Sequence, residues 1–277
     1  MLRMKKLNWG RLIEGAIVPV ILLLVWQGVC SAGWVDPRKL PSPLAVIVRW
    51  AAYLAPEHAF NAANDIAPLW IVSGEFFRDA VNSLFRVLTG FAAGSALALP
   101  LGLAMGASSK TYRALNPMLQ VLRPIPPIAW IPLAMTWFGA NNIAAFFLIA
   151  LGAFFPLLIN TIAGVRAVDS IYLRAARNLG ASQFTIFRRV ILPAATPYIL
   201  SGVRIGIGTA FIVVIVAEMV GVGNGLGFRI LEAREYFWGD KIIAGMFSIG
   251  FLGLGIDMIV SRLNNHLLRW HRGLESS

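Results

Sequence analysis

The stretch Leu173–Gly206, "LRAARNLGASQFTIFRRVILPAATPYILSGVRIG", decides how the chain is read. Its first half carries Arg174, Arg177, Arg188 and Arg189 around two phenylalanines. Its second half enters a long apolar run that reaches Glu218. The segment just upstream, Ile143–Val165, carries no charge at all. A basic, glycine-hinged interruption between two uncharged runs needs a reason. Leu173, Ala176 and Gly180 fall at i, i+3, i+7, and Phe184, Phe187 and Ile191 follow the same spacing. Each set predicts an apolar stripe on a short helix. Gly180 permits a turn between them, and Pro193 and Pro197 mark the start of the next run. Two short helices at an angle, with a basic rim, suit a groove on a soluble partner.

Composition supplies the setting. Of 277 residues, 58% are hydrophobic and 13% charged, against about 25% charged in soluble domains. The chain therefore reads as an integral membrane protein. Six windows are long enough to cross a bilayer as helices: Leu12–Gly33, Asn82–Gly106, Ala114–Phe138, Ile143–Val165, Val190–Val222 and Ile242–Ser261. No period-2 alternation supports a barrel. The fold expectation is all-α, a polytopic bundle of six transmembrane helices forming one domain over residues 1–277. The first window follows Arg3, Lys5 and Lys6. Its apolar run is too long for a cleaved leader, so it is read as a retained anchor.

The net charge of +11 is unevenly spread. With the N-terminus inside, cytoplasmic segments hold fourteen Lys/Arg against two acids, and outer segments hold seven against eight. The positive-inside rule then predicts both termini in the cytoplasm and places the opening stretch there too. The charge follows membrane topology, so nucleic acid is not an expected partner and lipid is. The longest outer loop, about 34–81, contains "LPSPLAVIVRWAAYLAP". Ser42 can cap and Pro43 can start a helix there. Leu44, Ile47, Val48 and Ala51 then share one face, as on a helix lying at the membrane surface.

Several chemistries find no support. Cys30 is the single cysteine, and His58, His266 and His271 lack ligand spacing, so no metal site is expected. Gly106–Thr111 lacks the glycine spacing of a phosphate loop. The glycines 221, 223, 225 and 227 have no βαβ context and read as a flexible outer turn. No paired carboxylates or Ser/His/Asp set points to an enzyme. Gly90–Gly94 and Gly202–Gly206 read as close helix contacts.

The pattern Ala175-Ala176, three residues, Gly180, nine residues, Val190, one residue, Leu192-Pro193 resembles the EAA signature of ABC-importer permeases, E-A-A-x3-G-x9-I-x-L-P. Arg174 stands in place of the glutamate and Val190 in place of the isoleucine. "NPMLQVLRPIPPIAWIPLAMTWFG", "GAFFPLLINTIAGVRAVD", "SGVRIGIGTAFIVVIVAEM" and Gly225–Gly227 are similar to the nitrate/sulfonate/taurine branch of that family. Together they cover about residues 40–265. The resemblance implies a type I ABC-importer permease architecture and makes the loop of about 166–190 a coupling helix. Ala175, Ala176, Gly180, Phe184, Phe187, Leu192 and Pro193 are then its ATPase-coupling residues. It also implies a second copy of the chain, two cytoplasmic ATP-binding subunits and a periplasmic or lipid-anchored solute-binding protein. ATP and Mg would sit on the ATP-binding partner, with no cofactor in this chain. The implied location is a bacterial inner membrane. The implied cargo is a small oxyanion, nitrate first, with sulfonate, taurine, bicarbonate or cyanate beside it. An ion-gradient-driven carrier or channel is the alternative, although no inverted repeat is evident.

The pathway expectations come from the residues. Pro117, Pro124, Pro126, Pro127 and Pro132 crowd the third window. Broken backbone is costly in lipid, so this segment should line protein or water. Trp130, Thr136, Trp137 and the Asn160-Thr161 pair could donate to an anion or satisfy neighbouring helices. Within the spans, Arg86, Arg123 and Arg204 face Glu14, Glu218 and Asp257 in equal number. Ionisable groups in spans face an interior, so pairing is expected, Arg86 with Glu218 first. Arg86, Arg123, Trp130, Asn160, Arg204 and Glu218 are the substrate-pathway candidates.

Overall fold

The computed structural model describes residues 9–59, 70 and 72–268, with side chains from residue 15 onward. Glu14, whose pairing the sequence raised, lies outside the residues with described side chains, as do Arg3, Lys5 and Lys6 of the N-terminus. The described elements in chain order are helices α1 (Trp9–Ser31), α2 (Pro43–Leu54), α3 (Glu75–Ala107), α4 (Ser109–Leu122), a 3-10 turn (Pro127–Trp130), α5 (Ile131–Phe138), α6 (Asn142–Arg166), α7 (Ser170–Asn178), α8 (Gln183–Gly221), α9 (Leu226–Glu235) and α10 (Gly239–Leu267). No strand occurs among them. Helices α3, α6, α8 and α10 are long and apolar enough to cross a membrane. Helix α1, at 23 residues, spans about 34 Å at ~1.5 Å per residue, close to the thickness of a hydrocarbon core.

The third window is corrected. Ala114–Phe138 is not one helix but α4, a turn, and α5. Pro124, Pro126 and Pro127 fall in that break, where three rings remove three N–H donors within four residues. The prolines were expected to disturb the turn; they end the helix. The boundaries of α3 and α10 also reach past their windows, α3 beginning at Glu75 and α10 ending at Leu267.

Residue contacts gather into two compact units. The first comprises the described parts of Met1–Phe77 with Arg229–Ser248. There Trp26 Nε1 donates to the Pro41 carbonyl at 3.1 Å, fixing the chain after α1. Ser42 Oγ accepts from Ala45 N at 3.2 Å and Pro43 opens α2, as its sequence predicts. Val46 and Tyr53 are buried, while Leu44, Ile47 and Val48 present an exposed apolar face. Arg49 pairs with Asp240 at 2.9 Å, and Trp50 Nε1 donates to Ser248 Oγ at 2.9 Å. Arg229 and Lys241 share the carboxylates of Glu75 and Glu232 over 3.0–3.6 Å.

The second unit, Arg78–Phe228 with Ile249–Ser277 in its described part, holds the main core. Val87 of α3, Leu148, Ile149 and Ala153 of α6, and Ala210, Val214 and Ala217 of α8 form its centre. A second cluster, Ala98, Met105, Leu157 and Leu158, lies along the same helices. Small residues set the spacing. A Cβ at Gly90 would stand 2.6 Å from Ile149, and one at Gly202 would stand 2.8 Å from Asn160. The two glycine pairs read from the sequence are therefore sites of close helix approach.

Candidate coupling surface and translocation path

The basic interruption folds as two short helical pieces. Asp169 Oδ1 caps α7 by accepting from Ile171 N at 2.8 Å. Helix α7 ends at Asn178, and Gly180 follows with φ +76°. Gly180 N donates to Arg177 O at 2.9 Å and Ala181 N to Ala176 O at 3.0 Å. These two bonds are the Schellman closure, which needs a left-handed residue at the position Gly180 holds. Ser182 Oγ then accepts from Thr185 N and starts α8. After its first turn, Gln183–Ile186, α8 widens to π geometry over Phe187–Ile191, just before Leu192-Pro193. A proline cannot donate to the preceding turn, and a widened turn keeps its ring clear of the carbonyl four residues back.

The motif residues are placed unevenly. Ala175, Gly180, Phe184 and Pro193 are exposed; Ala176, Phe187 and Leu192 are half-buried. Phe184 is 70% exposed and Leu179 87%. The residue that anchors the element is Ile186, at 2% exposure, which the stripe of Phe184, Phe187 and Ile191 passed over. Arg174, Arg177, Arg188 and Arg189 all face solvent. The result is an apolar knob inside a ring of guanidiniums.

A buried polar node joins α3, α8 and the loop after α8. Arg86 Nη1 meets Glu218 Oε1 at 2.7 Å, the pairing expected from the sequence. Arg86 is 3% exposed and Glu218 fully buried. Ser83 Oγ lies 2.8 Å from Glu218 Oε1, and Gly227 N donates to Oε2 at 2.9 Å. Arg86 Nε donates to Asn142 Oδ1 at 2.8 Å, and its other nitrogens reach the backbone and side chain of Asn224. Leu226 N donates to Ser83 Oγ at 3.1 Å and Gly225 N to Asp79 Oδ1 at 3.3 Å. Close approach requires Gly227: a Cβ there would meet Ile215 O and stand 3.1 Å from Glu218 Cβ. The glycine run read as a flexible turn is thus pinned by side chains from two helices. Asp79 and Ser83 share the α3 face of Arg86 at i, i+4 and i+7, while Asn142 and Asn224 reach the node only through the fold.

Two adjoining cavities flank the α4–α5 break. One, of about 780 Å³, is lined by Tyr112, Asn116, Gln120, Arg123 and Arg166 among apolar neighbours. The other, of about 370 Å³, is lined by Arg123, Pro126, Asn160 and Thr209 with apolar walls. Arg123, Phe155 and Ile159 belong to both, and neither has an aspartate or glutamate in its lining. The Arg166 guanidinium lies 3.7 Å from the centre of the Tyr112 ring, which fixes its position by cation–π attraction. Asn160 Nδ2 donates to Pro156 O at 2.7 Å, leaving its Oδ1 and second N–H. Thr136 and Thr161 each donate to the carbonyl one turn back, at 2.8 and 2.7 Å. Trp130 packs on Phe147, and its Nε1 is buried without a protein partner. Arg204 forms a two-point pair with Asp257 at 2.8–2.9 Å. Arg123 and Asn160 therefore share a cavity, Arg86 and Glu218 share a closed node, and Trp130 and Arg204 line neither cavity.

The chain is similar to known transport proteins. The chain is 34% identical over 98% of its length to SsuC of Bacillus subtilis, named as an aliphatic sulfonates transport permease and covered over 91%. It is 32% identical to the taurine transport system permease protein TauC of Escherichia coli, over 91% of this chain and 87% of that one. It is 34% identical to the nitrate import permease protein NrtB of Synechocystis, over 92% and 89%. In fold it is similar to an inward-facing structure of the MetNI methionine ABC transporter, with a TM-score of 0.60, 20% identity, and coverage of 74% of this chain and 98% of that one. Residues 96–273 match the family described as the binding-protein-dependent transport system inner membrane component, and the chain belongs to it as an ABC-transporter permease, a transport subunit and not an enzyme.

Proposed function

We propose that this chain forms half of the pore of an ATP-driven importer for a small oxyanion. The carrying observation is the pair of adjoining cavities at the α4–α5 break, which share Arg123, add Arg166 and contain no carboxylate. Guanidinium groups match the planar or tetrahedral oxygens of nitrate and sulfonate with paired hydrogen bonds. Carboxylate-free walls avoid repelling the same anion. Nitrate is the first cargo in this reading and organosulfonates such as taurine stand beside it. The named cargoes of NrtB, TauC and SsuC all carry that chemistry.

In the same reading a second copy completes the pore, and two ATP-binding subunits, which hold ATP and Mg, receive the exposed coupling element. An outer solute-binding protein delivers the anion, and both termini lie in the cytoplasm. Family membership displaces the gradient-driven carrier, because the coupling element then has a use that a carrier does not give it. In proteoliposomes containing the assembled complex, Arg123→Gln should raise the KM for the anion by roughly tenfold or more, the loss expected for one charge-assisted contact. Normal KM and kcat in that variant would remove Arg123, and with it the carrying observation.

A further inference from the structure

We propose that Arg204 is a resting point for the permeating oxyanion and that Asp257 is the carboxylate the anion displaces. The inference rests on the oxyanion reading above. Arg204 lies near the middle of α8 and Asp257 in the inner half of α10, both within helices able to span the membrane. Their pairing is two-pointed, Nε to Oδ1 at 2.9 Å and Nη2 to Oδ2 at 2.8 Å. Yet 48% and 51% of the two side chains remain exposed. The Arg86–Glu218 pair in the same unit is closed at 4% and 0%. An ion pair half-open at mid-span is expensive against hydrocarbon, so this face of α8 meets water or polar protein.

The surroundings favour water. Ile205, the next residue on α8, and Thr209, one turn on, line the cavity that holds Arg123. Gly208, one turn beyond Arg204, leaves open space where a side chain would stand. Behind the pair is a small cleft of about 50 Å³ bounded by Phe211, Gly253 and Ile256. That is room for one or two waters, at ~30 Å³ each, and so for a carboxylate to swing aside.

The exchange leaves the guanidinium paired but adds one negative charge to the site, because the displaced Asp257 carboxylate stays ionised and must be held by water. The guanidinium trades one two-oxygen acceptor for another and never stands bare. Without Asp257 it would hold the anion too long; with it, each arriving anion meets a competitor that drives release. Asp257 is therefore a positioning residue that acts through Arg204.

The test uses the whole complex in proteoliposomes with labelled nitrate and labelled taurine. Asp257→Asn should lower KM and kcat together, each by roughly tenfold, as expected when a guanidinium loses its competing acceptor. Arg204→Gln added to Asp257→Asn should restore much of kcat and raise KM. Unchanged KM in Asp257→Asn, with only yield or kcat reduced, would make the pair purely structural and overturn the proposal. In a Cys30→Ser background, Gly208→Cys should react with a water-soluble thiol reagent and be protected by the transported anion. An unreactive cysteine in the assembled complex would overturn it as well. If the unaltered complex moves neither anion, the oxyanion reading fails first and this inference falls with it. If uptake is normal but Asp257→Asn leaves KM alone, only this inference falls.

Discussion

Glu218 is wholly buried and accepts from Arg86, Ser83 and the backbone of Gly227. A buried carboxylate is tolerated when a cation and several donors surround it, and removing one partner strands the other. Glu218→Gln and Arg86→Gln should each lower the yield of assembled complex, at a cost of about 3–5 kcal/mol. The double variant should recover part of the loss, and strictly additive losses in that cycle would contradict coupling through the pair. The charges of this node were legible in the sequence, because ionisable residues in apolar runs seek each other. The rest was not: Asn224 and the Gly225–Gly227 amides reach the node only through the loop's path. At the first unit's surface, burial raises the Glu232 carboxyl, but Arg229 and Lys241 outweigh it and hold it below its ordinary value. Such a group stabilises above the ordinary carboxyl range and stops stabilising as pH falls through its lowered folded value. The thermal advantage of the wild type over Glu232→Gln, at most about 1 kcal/mol for a surface network, should be present at neutral pH and shrink as pH falls below the ordinary carboxyl range of about 4. An advantage that stays constant across that fall would rule out this ion network as its source.

At the scale of the element, the proposed coupling segment depends on one backbone angle. A Cβ at Gly180 would meet nothing within 4 Å, so a bulky residue there does not clash. It is the φ of +76° that resists substitution, at about 1–2 kcal/mol for most side chains and less for asparagine. Gly180→Leu should insert normally yet lose ATP-binding-subunit capture and transport, while Gly180→Asn should retain most of both. Equal, normal co-purification of the two variants would reject the docking role. Phe184→Ala should weaken the same capture by more than about 1 kcal/mol, as for an aromatic anchor in an interface. The spacing showed two short helices and a glycine hinge. It did not show that Ile186 faces inward and Phe184 outward, because aromatic periodicity marks a stripe without saying which side is covered. Helix α9, "LGFRILEARE", is short and its four charges mask the apolar face of Leu226, Ile230 and Ala233, of which Leu226 and Ala233 are buried. Hydropathy alone makes the third window too long, since it sums over the three prolines that divide it.

At the scale of the molecule, the basic asymmetry predicts which side each segment occupies. A cysteine at Ser182 should be shielded from an impermeant reagent added outside, and one at Glu57 should react. The reverse pattern would invert the topology and remove the coupling surface from the cytoplasm. The all-α architecture was legible from composition and window length. The two-unit grouping was not, because residues 229–248 join the N-terminal part through contacts such as Arg49–Asp240 that are far apart in sequence. The central claim, ATP-driven passage of a small oxyanion, is tested most directly by uptake. The complex is reconstituted with its ATP-binding and solute-binding partners. Accumulation of labelled nitrate and taurine is then followed with and without ATP, beside a neutral sugar and an amine as controls. The account predicts uptake of at least one oxyanion against its gradient, dependent on ATP and absent for both controls. Uptake that proceeds without ATP, or that favours the neutral or cationic solute, would contradict it.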